Sequence, residues 1–353
     1  MATSVAGGPA MVVAESAALP PSRRLRIMLA LAVGLAAAAF NWSTKAHIGL
    51  ATDLQQLIVA ARALSHGVDP YSVVGPGLTY DWPWRLLYPL PGVVVALPFS
   101  AGALSFGIGA MGFVFVSATT FAYALTRDGW YRLPMLMSVP ALWAFWWAQW
   151  SPILAAATVL PWLGFAYAAK PTIGAALFLY RPDRRALIGV ILLLAVSFAL
   201  YPPWLAEWLA AVRGSDLDHF LVPIRWPGGP LVLLALLRWR RPEARLLVAM
   251  SCVPQSPTFY DMLPLAFVPI TLRESVMLSV LTYVVMTVTA VAAPGYGLTQ
   301  NLQISGPASV LLIYLPCLIM ILRRPNEGHV PTWLEHSITS VRVRLLSVGI
   351  HRR

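Results

Sequence analysis

The stretch RRLRIMLALAVGLAAAAF, residues 23–40, decides how the rest of the chain is read. Arg23, Arg24 and Arg26 crowd the start of an apolar run that continues to Phe40. In a bilayer such a run must satisfy its backbone internally, which makes it a helix. Runs of about 15 to 20 apolar residues recur as far as Ile321, against the roughly 20 that a bilayer core needs, so roughly eight to ten spans are expected. The first run is Ala-rich, lacks a clear cleavage site and is followed by further spans, so it reads as a retained helix and not a signal peptide. Composition agrees: of 353 residues 58% are hydrophobic and 11% charged, with mean hydropathy +0.70. A soluble domain carries about 25% charged residues. The expected fold class is all-α, a polytopic transmembrane helical bundle.

The net charge is +11. In a soluble protein that excess would suggest nucleic acid, but here the arginines gather at the ends of apolar runs. Beyond the first group they form three more: Arg181, Arg184 and Arg185; Arg238, Arg240, Arg241 and Arg245; Arg323 and Arg324. This is positive-inside patterning, with attraction to anionic membrane lipids as a by-product and no nucleic-acid partner expected. With these clusters cytoplasmic, Asp53, the loop Glu207 to Trp226 and the turn Pro254 to Asp261 fall on the far side. Arg127 and Arg132 would then also land outside if every apolar segment from Leu86 to Tyr180 crossed once, so one of those segments is a candidate re-entrant element. The two cysteines, Cys252 and Cys317, make neither a disulfide framework nor a metal site.

Residues 1–22, rich in Ala, Gly, Pro and Ser, read as a disordered cytoplasmic tail. Residues 23–325 are expected to form the membrane domain. Within it, residues 43–85 make a first extracytoplasmic loop, and 326–353 form a basic cytoplasmic interfacial tail. In the loop, DLQQLIVAARAL (53–64) spaces Leu54, Leu57, Ile58, Ala61 and Leu64 by three and four, the pattern of an amphipathic helix lying on the bilayer surface. Gly67 ends it and Asp69-Pro70-Tyr71 fixes a turn. Farther on, Pro140, Pro152, Pro161, Pro171, Pro254, Pro257 and Pro264 break or kink helices. A membrane tolerates such breaks only where protein or a watery cavity satisfies the freed groups, so they point to an internal cavity.

Asp53 is the leading candidate for chemistry. A carboxylate beside the membrane, backed by a cavity and far from other charges, can stay ionised and accept a proton. The plain alternative is that it opens its helix, where an acid suits the positive end of the dipole. Lys170 lies in apolar surroundings and must either pair internally or snorkel to headgroups. Arg85, beside Trp82 and Trp84, is an interfacial anchor or an anion ligand. Arg213 and Arg225 flank Asp216-Leu217-Asp218-His219, which reads as a metal-like carboxylate pair or as a solvated loop. Asp69 suits a turn cap. Most of the 14 tryptophans, including Trp143, Trp146, Trp147 and Trp150, suit an interfacial belt, although indole faces also stack on sugars.

Several segments taken together resemble one family. Asp53 is followed by Ala60-Ala61-Arg62-Ala63-Leu64, Gly67-Val68-Asp69-Pro70-Tyr71 and Tyr88-Pro89. Gln149-Trp150-Ser151-Pro152, Lys170-Pro171-Thr172 and Ser256-Pro257-Thr258-Phe259-Tyr260 continue the likeness. The pattern is similar to the polyprenyl-phosphate-mannose-dependent α-mannosyltransferases of glycosyltransferase superfamily C (GT-C). The chain departs from that pattern at Ala148, where glycine is usual, and at Leu90, where a second proline is usual. It also lacks a histidine after Ser256-Pro257, where Tyr260 and Asp261 stand instead.

The resemblance implies a GT-C bundle with broken helices and an extracytoplasmic juxtamembrane helix. It implies an inverting transfer of a hexose, mannose by analogy, from a polyprenyl-phosphate donor to an extracytoplasmic lipid or glycan acceptor, in a bacterial inner membrane. Asp53 would be the general base. Arg85, Lys170, Arg213 and Arg225 are the candidates for the donor phosphate, and Tyr71, Tyr88, Gln149, His219, Tyr260 and Asp261 for the substrate pocket. Neither metal nor cofactor is expected, since arginine, lysine or helix N-termini can meet the phosphate. A transporter or lipid-handling protein using the same cavity, and a subunit that kept the fold without activity, are the competing readings.

Overall fold

The computed structural model describes residues 22–102, 104–215, 220–292, 298–328 and 332. Among them the chain is mostly helical, with one short parallel strand pair, Val74–Gly75 and Tyr80–Asp81. Helix α1 (Arg23–Thr44) is followed by α2 (Leu54–Ser65), α3 (Leu90–Ser100) and α4 (Phe106–Leu125). Next come α5 (Val139–Trp146), α6 (Ser151–Ala157), α7 (Pro171–Tyr180), α8 (Arg184–Leu200) and α9 (Trp204–Arg213). The chain closes with α10 (Pro242–Cys252), α11 (Leu272–Ala292), α12 (Leu298–Ser309) and α13 (Leu315–Leu322). Tighter 3-10 segments, Pro161–Ala169, Gly229–Arg238 and Tyr260–Phe267, run between these helices. Four stretches are long and apolar enough to cross a membrane alone: α1, α4, α11 and Asn301–Leu322. A fifth forms if α8 and α9, bent 99° at Tyr201–Pro203, are one span. The other apolar runs, which the sequence reading counted toward eight to ten spans, are short broken pieces.

The surface these helices present is apolar. Leu31 and Leu35 on α1, Ile188, Ile191 and Leu192 on α8, and Val280, Val284, Val288 and Val291 on α11 are exposed. Contiguous apolar faces of this extent mark contact with lipid or protein. Inside, helices approach closely at small residues, the packing mode of membrane bundles. On α1 a side chain at Gly34 would meet Thr119 Oγ1 of α4 at 1.9 Å. At the other end of that pair, one at Gly107 would meet the Ala46 carbonyl oxygen at 2.1 Å.

The arginines fix the direction of each element. Arg26 donates to the Tyr123 carbonyl (2.8 Å) and Thr126 Oγ1 (3.4 Å), so α4 runs antiparallel to α1 and Arg127 joins the first arginine group. Arg245 donates to the Leu179 and Tyr180 carbonyls, Arg238 to those of Arg324 and Leu322. Arg324 reaches the Val268 carbonyl and Glu274, while Arg132 holds the Phe267 and Pro269 carbonyls. All four sequence clusters, with Arg127 and Arg132, therefore meet at one end of the molecule. The segment that fails to cross is α3. Its C-terminal carbonyls, Ser100 and then Leu104 beyond it, accept from Arg62 of α2 (3.4 and 2.6 Å), so both its ends lie near the 43–85 loop.

Removing α3 from the crossings makes the remainder alternate. From the arginine end, α5 rises and α6 returns. The segment Pro161–Ala169 rises and α7 returns, and α10 rises and Tyr260–Phe267 returns. Three hairpins thus place their tips, Trp147–Trp150, Lys170 and Val253–Phe259, at the end that carries Asp53. Proline opens α6, α7 and α10 and the Pro161 segment, where its missing N–H costs nothing.

Helix α2 differs from its expected role. Leu54, Leu57, Ile58 and Ala61 are indeed on one face, but they are buried against protein together with Gln56 and Ala60. Its end is as read: Gly67 adopts φ 72°, Val68 N–H bonds the Ala63 carbonyl (2.9 Å), and Asp69 caps the Pro70 turn by accepting from Tyr71 N–H (2.8 Å).

Candidate active site

Asp53 occupies the N-cap position of α2, yet its carboxylate makes no capping bond. One oxygen, Oδ2, instead accepts from the Gln149 amide and from the Tyr260 hydroxyl (3.3 Å). These partners come from the tip of the α5–α6 hairpin and the start of the Tyr260 segment. Asp53 thus opens its helix, as the plain alternative has it, while its carboxylate is held by tertiary contacts and not by a capping bond. Burial pushes the Asp53 carboxyl up to about 6, opposed chiefly by the nearby Lys170 ammonium.

A second pair closes the floor. Lys170 Nζ lies 2.6 Å from Asp261 Oδ1 and 5.1 Å from the centre of the Tyr260 ring. Asp261 is 1% exposed, and its other oxygen accepts from Ser256 N–H (2.9 Å), while Ser151 Oγ donates to Oδ1 (3.3 Å). The alternatives for Lys170 thus resolve to internal pairing. One of its N–H donors serves Asp261, leaving others for the cavity that it lines.

That cavity has a volume of about 410 Å³. Asp53, Arg85, Tyr88, Lys170, Tyr260 and Asp261, all anticipated, line it. Most of the rest of its wall is apolar, including Trp82, Trp84, Trp147 and Trp208, as suits a site that binds a largely apolar ligand through a few convergent polar groups. Tyr71 stands behind the wall, its hydroxyl donating to the Tyr88 carbonyl (3.2 Å). Arg213 and Arg225 do not line the cavity; both are exposed, at the end of α9 and in the Pro223–Arg225 turn. Their neighbours Trp208 and Val212 on α9 do line it. His219, with Asp216 and Asp218, lies outside the described residues, as do residues 1–21 and nearly all of the basic C-terminal tail. Among the described residues no three His, Cys, Asp or Glu side chains gather into a metal site.

The sequence reading missed Ser151, Ser256 and Gln56. The two serines belong to the Gln149–Pro152 and Ser256–Tyr260 segments, and both meet Asp261. Trp150 was assigned to an interfacial belt; it is instead 1% exposed and packs edge-on against Phe113, 5.2 Å between ring centres. Trp143 and Trp147 stack at 6.3 Å, with Lys45 Nζ 4.5 Å from the Trp146 ring.

Backbone strain converges on the same place. The described residues contain three non-glycine residues with positive φ: Thr52 (51°), Ala148 (50°) and Phe259 (67°). Each immediately precedes a member of the site, Asp53, Gln149 or Tyr260. Left-handed backbone at ordinary residues costs about 1 to 3 kcal/mol each and clusters at functional sites. Comparison with family models, curated proteins and solved structures returns no match for this chain.

Proposed function

We propose that the protein is an inverting GT-C-type glycosyltransferase that moves a hexose, mannose on the motif resemblance, from a polyprenyl-phosphate donor to a lipid or glycan acceptor. The observation that carries this reading is Asp53: a carboxylate released from capping, raised to about 6 by burial, and held at Oδ2 on the wall of an aromatic cavity. In the proposed step the acceptor hydroxyl gives its proton to Asp53 while its oxygen bonds to C1 of the sugar. The C1–O bond to phosphate breaks, its electron pair leaving with the lipid phosphate, and attack from the opposite face inverts C1. Lys170 and Arg85, the two cations among the described residues of the cavity wall, are the donors for the departing phosphate. In this reading the arginine end faces the cytoplasm, in keeping with the positive-inside rule, and Asp53 works on the extracytoplasmic face; a bacterial inner membrane comes from the motif resemblance alone.

A transporter would need ionisable groups along a path through the bundle. In the described helices every Asp, Glu, Lys and Arg side chain sits in a first or last turn, which favours chemistry at one face. The test is incubation of membranes containing the protein with radiolabelled polyprenyl-phosphate mannose. Wild type moves label to an acceptor, and folded Asp53→Asn protein does not; equal transfer by Asp53→Asn would sink the proposal.

A further inference from the structure

A second cavity lies at the arginine end, with a volume of about 730 Å³. Five arginines line it, Arg26, Arg127, Arg181, Arg184 and Arg185, against one carboxylate, Asp183. They come from three places in sequence: the first turn of α1, the residues after α4, and the turn from α7 into α8. Arg26 is held in position by the Tyr123 carbonyl and ring, the latter 4.2 Å away. The single carboxylate is occupied in capping α8, accepting from Arg185 N–H at 2.7 Å. Among the described residues Arg181, Arg184 and Arg185 have no ion-pair partner, and Arg127 has only the exposed Asp128 at 3.7 Å. Positive-inside topology alone requires basic residues at span ends; it does not require them around one concavity.

We propose that this cavity binds the phosphate of an anionic phospholipid headgroup at the membrane surface opposite Asp53. Guanidinium groups suit phosphate oxygens because their planar N–H forks engage two at once, and basic pockets between helices suit lipid headgroups. The lipid source, as against a soluble phosphate, follows from what adjoins the cavity. Arg184 and Arg185 are succeeded on α8 by exposed Leu187, Ile188 and Ile191, and Arg26 on α1 is flanked by exposed Leu25 and Met28. A headgroup in the cavity leaves its acyl chains on those faces. This inference is independent of any activity at Asp53.

The test measures retention of lipids by the purified protein in native mass spectrometry, with dioleoyl phosphatidylglycerol against dioleoyl phosphatidylcholine, and with inorganic pyrophosphate as a soluble competitor. Wild type is expected to favour the anionic lipid roughly tenfold or more, and Arg127→Gln/Arg184→Gln, altering two exposed side chains, to lose that preference. A control, Arg240→Gln/Arg323→Gln, removes two charges from the same end outside the cavity and is expected to keep it. Equal loss in both variants would mean diffuse attraction and overturn the site. Pyrophosphate displacing the lipid at equal concentration would overturn the lipid assignment, as would wild type without preference.

Discussion

Lys170 and Asp261, 91 positions apart in sequence, form an ion pair of 2.6 Å on the floor of the cavity whose wall carries Asp53. Removing one member of a buried pair strands the other charge, at a cost of about 3 to 5 kcal/mol, whereas removing both costs far less. Lys170→Met is therefore expected to lower stability by about 3 kcal/mol. Lys170→Met/Asp261→Asn should recover most of that loss, since an asparagine oxygen still accepts from Ser256 N–H. Thermal melts of the three proteins in one detergent check this, and a double variant less stable than Lys170→Met contradicts it.

The same lysine acts on Asp53. Under the transfer reading Asp53 must be ionised, so the rate is expected to fall tenfold per pH unit below about 6, where burial has set its carboxyl. Lys170 is the largest influence lowering that value, so losing it should move the acid limb to higher pH. Initial rates across the pH range for wild type and Lys170→Met decide this; an unmoved limb would remove Lys170 from the electrostatics of the base.

Stability gives Asp53 a second readout with its own sign. The folded value, about 6, lies above the ordinary 3.8, so folding favours the protonated form. The folded state is penalised fully above about pH 6, by at most about 3 kcal/mol, and not at all below the ordinary value. Asp53→Asn should thus melt higher than wild type at pH 7.5, with the advantage shrinking toward nothing near pH 4, while transfer drops a hundredfold or more. Melting curves at the two pH values check the sign. A variant that melts lower at pH 7.5 would mean that the carboxylate is structural.

What could be read from the sequence divides along a physical line. Local signals were legible. The Gly67 turn, the Asp69 cap and the three-four spacing of Leu54, Leu57, Ile58 and Ala61 are set within a few residues, and the arginine clusters mark one end because crossing is costly for each of them. Which apolar run crosses was not legible, because α3 is as apolar as the runs that lead from one end to the other and is set apart by the Arg62 bonds at and beyond its C-terminal end. Convergence of the site was half legible. Lys170 stands out as a charge among apolar neighbours, and Asp53 and Asp261 through the motif resemblance, but nothing local ties Gln149 to Asp53 or Ser256 to Asp261. Arg213 and Arg225 read as cations of the far-side loop, and nothing local shows that both are exposed and off the cavity wall while Trp208 and Val212 of α9 line it.

That difference in placement separates the arginine candidates. Arg85 lines the cavity, whereas Arg213 and Arg225 do not. Under the transfer reading Arg85→Ala is expected to raise the donor KM about tenfold or more, the order of one charge-assisted bond to phosphate. Arg213→Ala and Arg225→Ala should stay within about twofold of wild type. Donor titrations with each variant check this, and an Arg213→Ala effect equal to that of Arg85→Ala would mean that α9 closes over the donor.

Ala148 offers a test of the strained turn that aims Gln149 at Asp53. It has φ 50° and is 1% exposed; Ala144, one turn earlier in α5, is equally buried and helical. The two positions lose the same methyl group on mutation to glycine but differ in backbone. In a helix the change costs about 1 kcal/mol. In the left-handed region an L-residue is itself strained by about 1 to 2 kcal/mol, which glycine relieves. Ala144→Gly should therefore lower the melting temperature, and Ala148→Gly should leave it unchanged or raise it with transfer within about twofold of wild type. Equal losses at both positions would show that packing of the methyl, and not backbone strain, governs the turn.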